Sequence, residues 1–291
     1  MDRTIKRVAA IHDLSGFGRA SLTAIIPVLS TMGVQVCPVP TAILSNHTGG
    51  FESYSFVDLT DSMEEYIKQW KNMNLEFDCI YSGFLGSVRQ IEIVSDFIDS
   101  FRSKDNLVVI DPVMADDGKL YDTMNEDMIS QMGKLISQAD IITPNYTEAA
   151  FLLNKPYVKT IEDKEIKQWA IRLSDMGPET VIITSVPDSK YNEDTSVIAF
   201  DKKNNVFWKV SCRYIPVYYP GTGDTFTSVI IGSLLQGDSL PIALDRGVMF
   251  ITQCIKASYG FNYPKSEGVL LEKVLDILKM PAVIGTFELL K

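Results

Sequence analysis

The run Gly221-Thr222-Gly223-Asp224 stands at the start of a helix predicted over residues 224–235. Its glycines allow a tight turn, and the helix N-terminus adds free backbone N–H groups and the positive end of the helix dipole. Together these features are typical of an anion-binding pocket. A carboxylate beside such a pocket is suited to accept the proton of a hydroxyl group that attacks a bound phosphoryl group. The motif alone leaves open a second interpretation, in which Asp224 only caps the helix.

Asn145 and Glu148 form a second candidate pair, in a segment that follows a predicted strand. Their spacing places both side chains on the first turn of a helix. They could bond to each other's backbone as a capping box. They could also belong to a magnesium and water network beside a nucleotide, because Mg²⁺ prefers hard oxygen ligands and retains part of its water.

Other polar residues also follow predicted strands. Asp111 ends a buried strand, and a turn containing Asp116 and Gly118 comes soon after it. This pattern predicts either an ordinary loop or a cation site beneath a mobile flap. Thr184 and Ser185 supply two hydroxyl groups at the end of a later strand.

Two earlier segments carry further candidates. Ser45-Asn46-His47-Thr48 is a polar cluster, in which a lone histidine such as His47 is more often structural than catalytic. Phe84 lies between two glycines, where a core phenylalanine is less expected, and its ring could stack on a flat ligand.

The elements that must position these residues alternate between short apolar strands and helices, which predicts an α/β fold. A mostly parallel central sheet with helices on both faces is expected, formed by a single domain over residues 1–291. Ligands of such sheets bind beyond the carboxyl ends of the strands, where the candidates lie. The predicted strands are 7–12, 34–39, 77–81, 107–111, 140–143 and 180–184, with a hairpin of 196–201 and 205–210. The predicted helices are 20–32, 62–72, 88–101, 125–136, 147–153, 164–176, 224–235, 241–257 and 268–278.

Composition excludes several classes of function. The 291 residues include 27 Lys and Arg against 37 Asp and Glu, a formal net charge of −10. Such an acidic chain is a poor candidate for nonspecific binding of nucleic acid or of an anionic membrane. A polyanion such as ATP would then need a metal ion and backbone N–H groups. The sequence lacks an apolar stretch of the length of a signal peptide or a membrane span, so we expect neither. The four cysteines are scattered, which predicts reduced thiols and no zinc site. Together these patterns predict a cytoplasmic location.

Two rival nucleotide motifs fail. Gly16-Phe17-Gly18 resembles the start of a dinucleotide fingerprint, but Ser21 stands where its third glycine should be, and no acid ends the second predicted strand. A P-loop requires Gly-Lys followed by Ser or Thr, and both Gly-Lys pairs of this chain are followed by leucine.

The motifs taken together resemble those of the ribokinase-like kinases, and within them most closely the pyridoxal kinases. The matches fall in the family's order over most of the chain. They are Ser45-Asn46-His47-Thr48, Ser82-Gly83-Phe84-Leu85-Gly86-Ser87, Asp111-Pro112-Val113-Met114, Thr143-Pro144-Asn145 with Glu148, Val181-Ile182-Ile183-Thr184-Ser185 and Gly221-Thr222-Gly223-Asp224.

The resemblance implies a three-layer ribokinase-like sandwich that transfers a phosphoryl group from ATP to the 5′-hydroxymethyl group of a pyridine. It implies that Asp224 is the base and that Gly221, Thr222 and Gly223 form the anion hole. Mg²⁺ or its waters would be held by Asp116 and Glu148. The resemblance further implies a site for K⁺ or Na⁺ at Asp111, Thr143 and Thr184. Thr48 and Phe84 would contact the ring. The implied contacts to ATP are Asp111, Asn145, Glu148, Thr184, Ser185, Ile215, Val217, Thr222 and Gly223. Such relatives are commonly homodimers.

One departure from the family pattern concerns the substrate. Asp13 stands where close relatives carry a serine that bonds the ring. A carboxylate there favours a cationic or amine-bearing ring, because opposite charges attract more strongly in a dry site. A hydroxymethylpyrimidine kinase of thiamine metabolism is therefore an alternative. A carbohydrate kinase fits less well, since a sugar offers no aromatic ring to Phe84. A non-catalytic vitamer-binding protein is the third alternative, although every expected catalytic position is filled.

Overall fold

The computed structural model describes residues 4–187, 194–281 and 287–290, and there it consists of alternating strands and helices. The strands are β1 (Arg7–Ser15), β2 (Gln35–Leu44), β3 (Phe56–Asp58), β4 (Cys79–Ser82), β5 (Leu107–Ile110), β6 (Ala115–Asp116), β7 (Lys119–Leu120), β8 (Ile141–Ile142), β9 (Thr180–Pro187), β10 (Asp194–Asp201), β11 (Val206–Arg213) and β12 (Phe287–Leu289). The helices are α1 (Leu22–Thr31), α2 (Thr60–Asn72), α3 (Val88–Phe101), α4 (Glu126–Leu135), α5 (Tyr146–Leu152), α6 (Asp163–Ser174), α7 (Thr222–Leu235) and α8 (Leu240–Tyr259).

Ten strands form one sheet, in the order β12-β11-β10-β9-β8-β5-β4-β1-β2-β3. The six strands from β9 to β2 are parallel to one another. The outer strands β3, β10, β11 and β12 pair antiparallel. The predicted parallel strands and the predicted hairpin are therefore confirmed, and the carboxyl ends of the parallel strands meet along one edge.

Helices cover both faces of this sheet. Alternate residues of β1 point to opposite faces, so Ala9 and Ile11 join one buried cluster while Val8 and Ala10 join the other. The first cluster includes residues of α2 to α6, and the second includes residues of α1, α7 and α8. The predicted three-layer α/β architecture is confirmed.

The helix predicted over residues 268–278 is wrong. This segment instead contains the short 3₁₀ turns Leu271–Lys273 and Leu275–Lys279. Gly268 has φ 79° and Val274 has φ −130°, so neither residue continues a helix. Leu271, Val274 and Leu278 show helical spacing although they do not form a helix. Their side chains are buried in a third apolar cluster with α1 and α8.

The strands β3, β6, β7 and β12 were not predicted, because two or three residues are too few to show a hydrophobic period. Among the residues that the structure describes, no helix has the length and apolar character needed to cross a membrane.

Candidate active site

Backbone hydrogen bonds bring the segments after the parallel strands together. Asp111 N donates to Ser82 O over 2.8 Å, and Thr184 N donates to Pro144 O over 2.9 Å. Asn145 and Thr184 also form an isolated parallel bridge. The residues predicted from separate motifs therefore share one edge of the sheet.

The glycine-containing run forms the start of α7 as predicted. Gly221 is its N-cap, with φ 78°, and a Cβ there would overlap the carbonyl oxygen of Arg19. Glycine is therefore required at this close approach. Thr222 and Gly223 follow as the first residues of the helix, and their N–H groups belong to its open N-terminus.

Asp224 lies in the first turn of α7, and its side chain is 14% exposed. Its Oδ2 accepts a hydrogen bond from Ser21 N over 2.8 Å. Its Oδ1 lies 3.8 Å from His12 Nδ1. Burial raises the pKa of Asp224 to about 6, although the bond from Ser21 N–H opposes the rise. The carboxylate reaches solvent and can accept a proton near neutral pH.

Asn145 and Glu148 form the capping box that was one of their two interpretations. Asn145 Oδ1 accepts from Glu148 N, and Glu148 Oε2 accepts from Asn145 N, each over 2.8 Å. Glu148 Oε1 also accepts from Met114 N over 3.1 Å. A cap of this kind does not exclude the second interpretation, because each carboxylate oxygen keeps a free lone pair.

Asp111 lies buried beside this cap. Burial raises its pKa, and the Glu148 and Asp224 carboxylates raise it further. Thr143 is also buried, and its Oγ1 lies 3.0 Å from Thr227 Oγ1. In the described ranges, the side chains of Asp111 and Glu148 form no ion pair with Lys or Arg.

These oxygen donors fit a cation, since hard carboxylate and hydroxyl oxygens are the ligands that Mg²⁺ and alkali ions prefer. Within the part of the chain that the structure describes, no three His, Cys, Asp or Glu side chains converge closely enough to hold a metal ion. Hydroxyl or carbonyl oxygens, phosphate oxygens or water would supply the remaining ligands.

Asp116 lies on the hairpin of β6 and β7, whose turn is Asp117-Gly118 with φ 46° and 76°. The hairpin is docked on α5: Asn145 Nδ2 donates to Ala115 O over 2.8 Å, and Gly118 N donates to Thr147 Oγ1 over 3.1 Å. The segment expected to form either a loop or a mobile flap is a hairpin attached to the capping box, and its movement stays a prediction.

The residues predicted to contact the ring differ in exposure. Thr48 is exposed, and Phe84 is half-buried against the first apolar cluster. Asp13 is buried, and its carboxylate accepts bonds from Ser15 Oγ over 3.0 Å and Ser21 Oγ over 2.5 Å. Burial raises the pKa of Asp13.

His47 has the structural role that was expected of it. Its Nδ1 accepts from Gly49 N over 3.1 Å, which assigns the ring proton to Nε2 and makes that atom the donor to Ser266 O at 2.6 Å. These bonds attach the Ser45–Thr48 segment to the residues before Gly268.

The remaining predicted nucleotide contacts lie on two segments. Thr184 is half-buried and Ser185 is exposed at φ 56°, a strained conformation inside β9 where its register with β10 shifts. Ile215 and Val217 are half-buried on the segment that leads into α7, and Val217 packs against the third apolar cluster.

Two residues of the site were missed by sequence reasoning. His12 is fully buried beside Asp224, neither ring nitrogen has a hydrogen-bond partner in the described part of the chain, and burial lowers its pKa to about 3. It resembled an ordinary strand residue. Ser21 has φ 50°. Its position in place of the third glycine of a dinucleotide fingerprint was the available signal.

Comparison with known proteins matches this chain to one family model. The family model described as phosphomethylpyrimidine kinase matches residues 16–269. A crystallised protein from Bacteroides thetaiotaomicron, assigned by its description to the phosphomethylpyrimidine kinases, is 54% identical, with a TM-score of 0.96 over 99% of both chains. A second crystal form of that protein contains pyridoxal.

Proteins described as pyridoxal kinases are also similar to this chain. The crystal structure of pyridoxal kinase from Lactobacillus plantarum is 29% identical, with a TM-score of 0.85, and the match covers 94% of this chain and 97% of that one. Pyridoxal kinase from Arabidopsis thaliana is 26% identical over 260 residues, which cover 84% of this chain and 78% of its own.

Proposed function

The chain belongs to the phosphomethylpyrimidine kinase family, within the ribokinase-like kinases, and we propose that it transfers the γ-phosphoryl group of ATP to the 5′-hydroxymethyl group of a vitamin B6 vitamer. The observation that carries the proposal is the Asp224 carboxylate, which reaches solvent at the open N-terminus of α7. Pyridoxal in a crystal of the 55% identical Bacteroides protein supports this choice of substrate.

In this reaction Asp224 accepts the proton of the attacking hydroxyl group. The transition state of phosphoryl transfer is loose, so positioning and charge stabilisation contribute more than base strength. A carboxylate with a pKa of about 6 is ionised at neutral pH and can accept the proton late in the reaction. Backbone N–H groups of Gly221, Thr222 and Gly223 would stabilise the charge that develops on the transferred group.

We assign the nucleotide side of the site to residues that follow β5 and β8, to the end of β9 and to the start of α7. Asp116 and Glu148 would hold Mg²⁺ or its waters, and Asp111, Thr143 and Thr184 would hold K⁺ or Na⁺. Bound Mg²⁺ neutralises phosphate charge. The nucleotide contacts that we assign are Asp111, Asn145, Glu148, Thr184, Ser185, Ile215, Val217, Thr222 and Gly223.

Thr48, Phe84 and Asp13 are assigned to the ring. The buried Asp13 carboxylate lies near the site without a Lys or Arg partner among the described residues. A cationic or amine-bearing ring would supply the missing positive charge. We therefore expect pyridoxamine or an aminopyrimidine to be used at least as well as pyridoxal.

One assay tests the function. Purified protein with Mg·ATP is offered pyridoxal, pyridoxine, pyridoxamine, hydroxymethylpyrimidine and ribose, and ADP release is measured together with the mass of each product. The proposal predicts an added phosphoryl group on the B6 vitamers. Turnover of hydroxymethylpyrimidine alone would favour the alternative that the family description suggests. Binding of a vitamer without any product would indicate a vitamer-binding protein.

The Asp13→Ser variant tests the charge preference in the same assay. Loss of the buried carboxylate should lower kcat/KM for pyridoxamine relative to pyridoxal by about tenfold, the scale of a hydrogen bond to a charged group. An unchanged ratio would remove Asp13 from substrate selection.

We also propose that the protein is a homodimer, that it is cytoplasmic and that residues 1–291 form a single kinase domain. Light scattering of the purified protein tests the first of these.

A further inference from the structure

Ser21 adopts a backbone conformation that L-amino acids avoid. Its φ is 50° and its ψ is −134°, a combination that is essentially restricted to glycine. The residue is buried, and its carbonyl oxygen accepts from Ala24 N and Ile25 N at the start of α1. A serine in this conformation has a steric cost that glycine would not have, so contacts of its side chain are needed to hold it there.

The hydroxyl of Ser21 does not cap its helix. A serine at an N-cap normally accepts a bond from a backbone N–H of the first turn, but Ser21 makes no such bond. Its Oγ instead donates to Asp13 Oδ1 over 2.5 Å. This charge-assisted bond joins the strained residue to a buried carboxylate of β1.

The backbone N–H of the same residue points toward the proposed base. Ser21 N donates to Asp224 Oδ2 over 2.8 Å, while Asp224 Oδ1 has no hydrogen bond from the described residues and faces His12 at 3.8 Å. One carboxylate oxygen is therefore fixed, and the other remains available to a substrate hydroxyl group.

We propose that Ser21 is a positioning residue, in which the hydroxyl bond to Asp13 holds the strained backbone that aims its N–H at Asp224. The inference rests on the proposed function, because it treats Asp224 as the base. Asp13 then acts on catalysis through Ser21, in addition to its assigned contact with the ring.

Two substitutions separate conformation from hydroxyl chemistry. Ser21→Ala loses the hydroxyl and keeps the steric cost of positive φ, so the N–H should turn away from Asp224. Ser21→Gly loses the same hydroxyl but adopts this conformation freely. We expect kcat for pyridoxal to fall about tenfold in Ser21→Ala, with KM for ATP unchanged, and to return to within about threefold of wild type in Ser21→Gly.

Ser15→Ala is the matched control, because Ser15 Oγ donates to the other oxygen of Asp13 and does not contact Asp224. Its kcat should stay within about threefold of wild type. Equal loss in Ser21→Ala and Ser21→Gly, equal loss in Ser15→Ala, or wild-type turnover in Ser21→Ala would each overturn the proposal. If Ser21→Ala does not fold, Ser21→Cys replaces it, since a thiol has similar size and is a weak donor.

Crystal structures of the variants test the same point without a substrate. The bond from residue 21 N to Asp224 Oδ2 should be absent in Ser21→Ala and present in Ser21→Gly. Its retention in Ser21→Ala would refute the positioning role. Failure of the wild-type protein to phosphorylate any vitamer would instead refute the proposed function and leave this structural result intact.

Discussion

Asp224 meets two opposing requirements within one side chain. Burial raises its pKa to about 6, while the N–H of Ser21 favours the ionised form. The result is a carboxylate that is charged at neutral pH and still basic enough to accept a proton. General bases matched to working pH in this way contribute about 10²–10⁴ in rate.

Asp224→Asn should therefore lower kcat by about 10²–10⁴. Asparagine has nearly the same shape and can still accept the bond from Ser21 N, so ATP binding should stay unchanged. Turnover measured by ADP release and nucleotide affinity measured by calorimetry check the two expectations. Near-normal turnover in this variant would exclude Asp224 as the base.

The pH dependence of kcat/KM, which reports the pKa values of the free enzyme, should show the same group. Asp224 must be ionised to accept a proton, so kcat/KM for pyridoxal should fall as the pH drops below about 6 and level off above it. Rates measured from pH 5 to 8 at subsaturating pyridoxal test this expectation. The residual activity of Asp224→Asn should lack this acidic limb, and a limb of the same midpoint in that variant would assign it to another group.

For single residues, the sequence predicted which side chains belong to the candidate site better than it predicted which residues they contact. Asp224, Asn145 and Glu148 were found because each follows a strand and starts a helix, a pattern local in the chain. Ser21 and His12 were missed because their importance depends on Asp224, more than 200 residues away. Such long-range contacts have no local hydrophobic or turn signal.

Among the elements, the β6–β7 hairpin connects the proposed magnesium ligand Asp116 to the capping box. Its turn needs a positive φ at Gly118, where a Cβ would lie 2.8 Å from Tyr157 Cδ1. Two contacts therefore hold the hairpin in place, the hydrogen bond from Gly118 N to Thr147 and the packing of the Tyr157 ring against Gly118.

Gly118→Ala should displace this hairpin. We expect the variant to raise KM for ATP about tenfold, because Asp116 moves with the turn. Gly237→Ala is the matched control, since Gly237 has φ 93° and an added Cβ there would meet no atom of the described residues within 4 Å. Both variants should lose about 1–2 kcal/mol of stability, measured by urea unfolding. Equal KM values in the two variants would show that the hairpin does not serve ATP binding.

The elements of the fold were largely predictable from sequence. The runs that form β5 and β9 are apolar on both faces, which is typical of central parallel strands. The segment 268–278 was predicted wrongly because its buried leucines keep helical spacing, while Gly268 and Val274 prevent a helix. The edge strand β3 is exposed throughout and lacks the alternation that identifies a half-buried strand.

At the scale of the whole molecule, the site concentrates buried acidic side chains. Asp13, Asp111, Glu148 and Asp224 are buried or nearly so, and burial raises the pKa of each. In the described ranges none of them pairs with Lys or Arg. The folded protein therefore binds protons at these groups more tightly than the unfolded chain does.

Burial of these acidic groups should make the free energy of unfolding depend on pH. For Asp224, whose pKa rises from 3.8 to about 6, the stabilising contribution is complete below pH 3.8 and is lost as the pH rises through about 6. Asp224→Asn removes that loss, so it should match wild type near pH 4 and exceed it by up to about 3 kcal/mol at pH 8. Urea unfolding at both pH values checks this.

Glu92→Gln, which removes an exposed carboxylate on α3, is measured alongside as the control. A pH-independent stability difference between Asp224→Asn and wild type would show that burial of the charge has no cost.

Because these carboxylates are unpaired, the stability of the folded protein should also depend on whether its nucleotide is bound. A divalent cation arriving with ATP would relieve their mutual repulsion, and any ligand that binds only the folded state shifts the folding equilibrium toward it. Without a phosphoryl donor the folded state would lose this stabilisation, and the chain would be open to proteolysis for a larger fraction of the time.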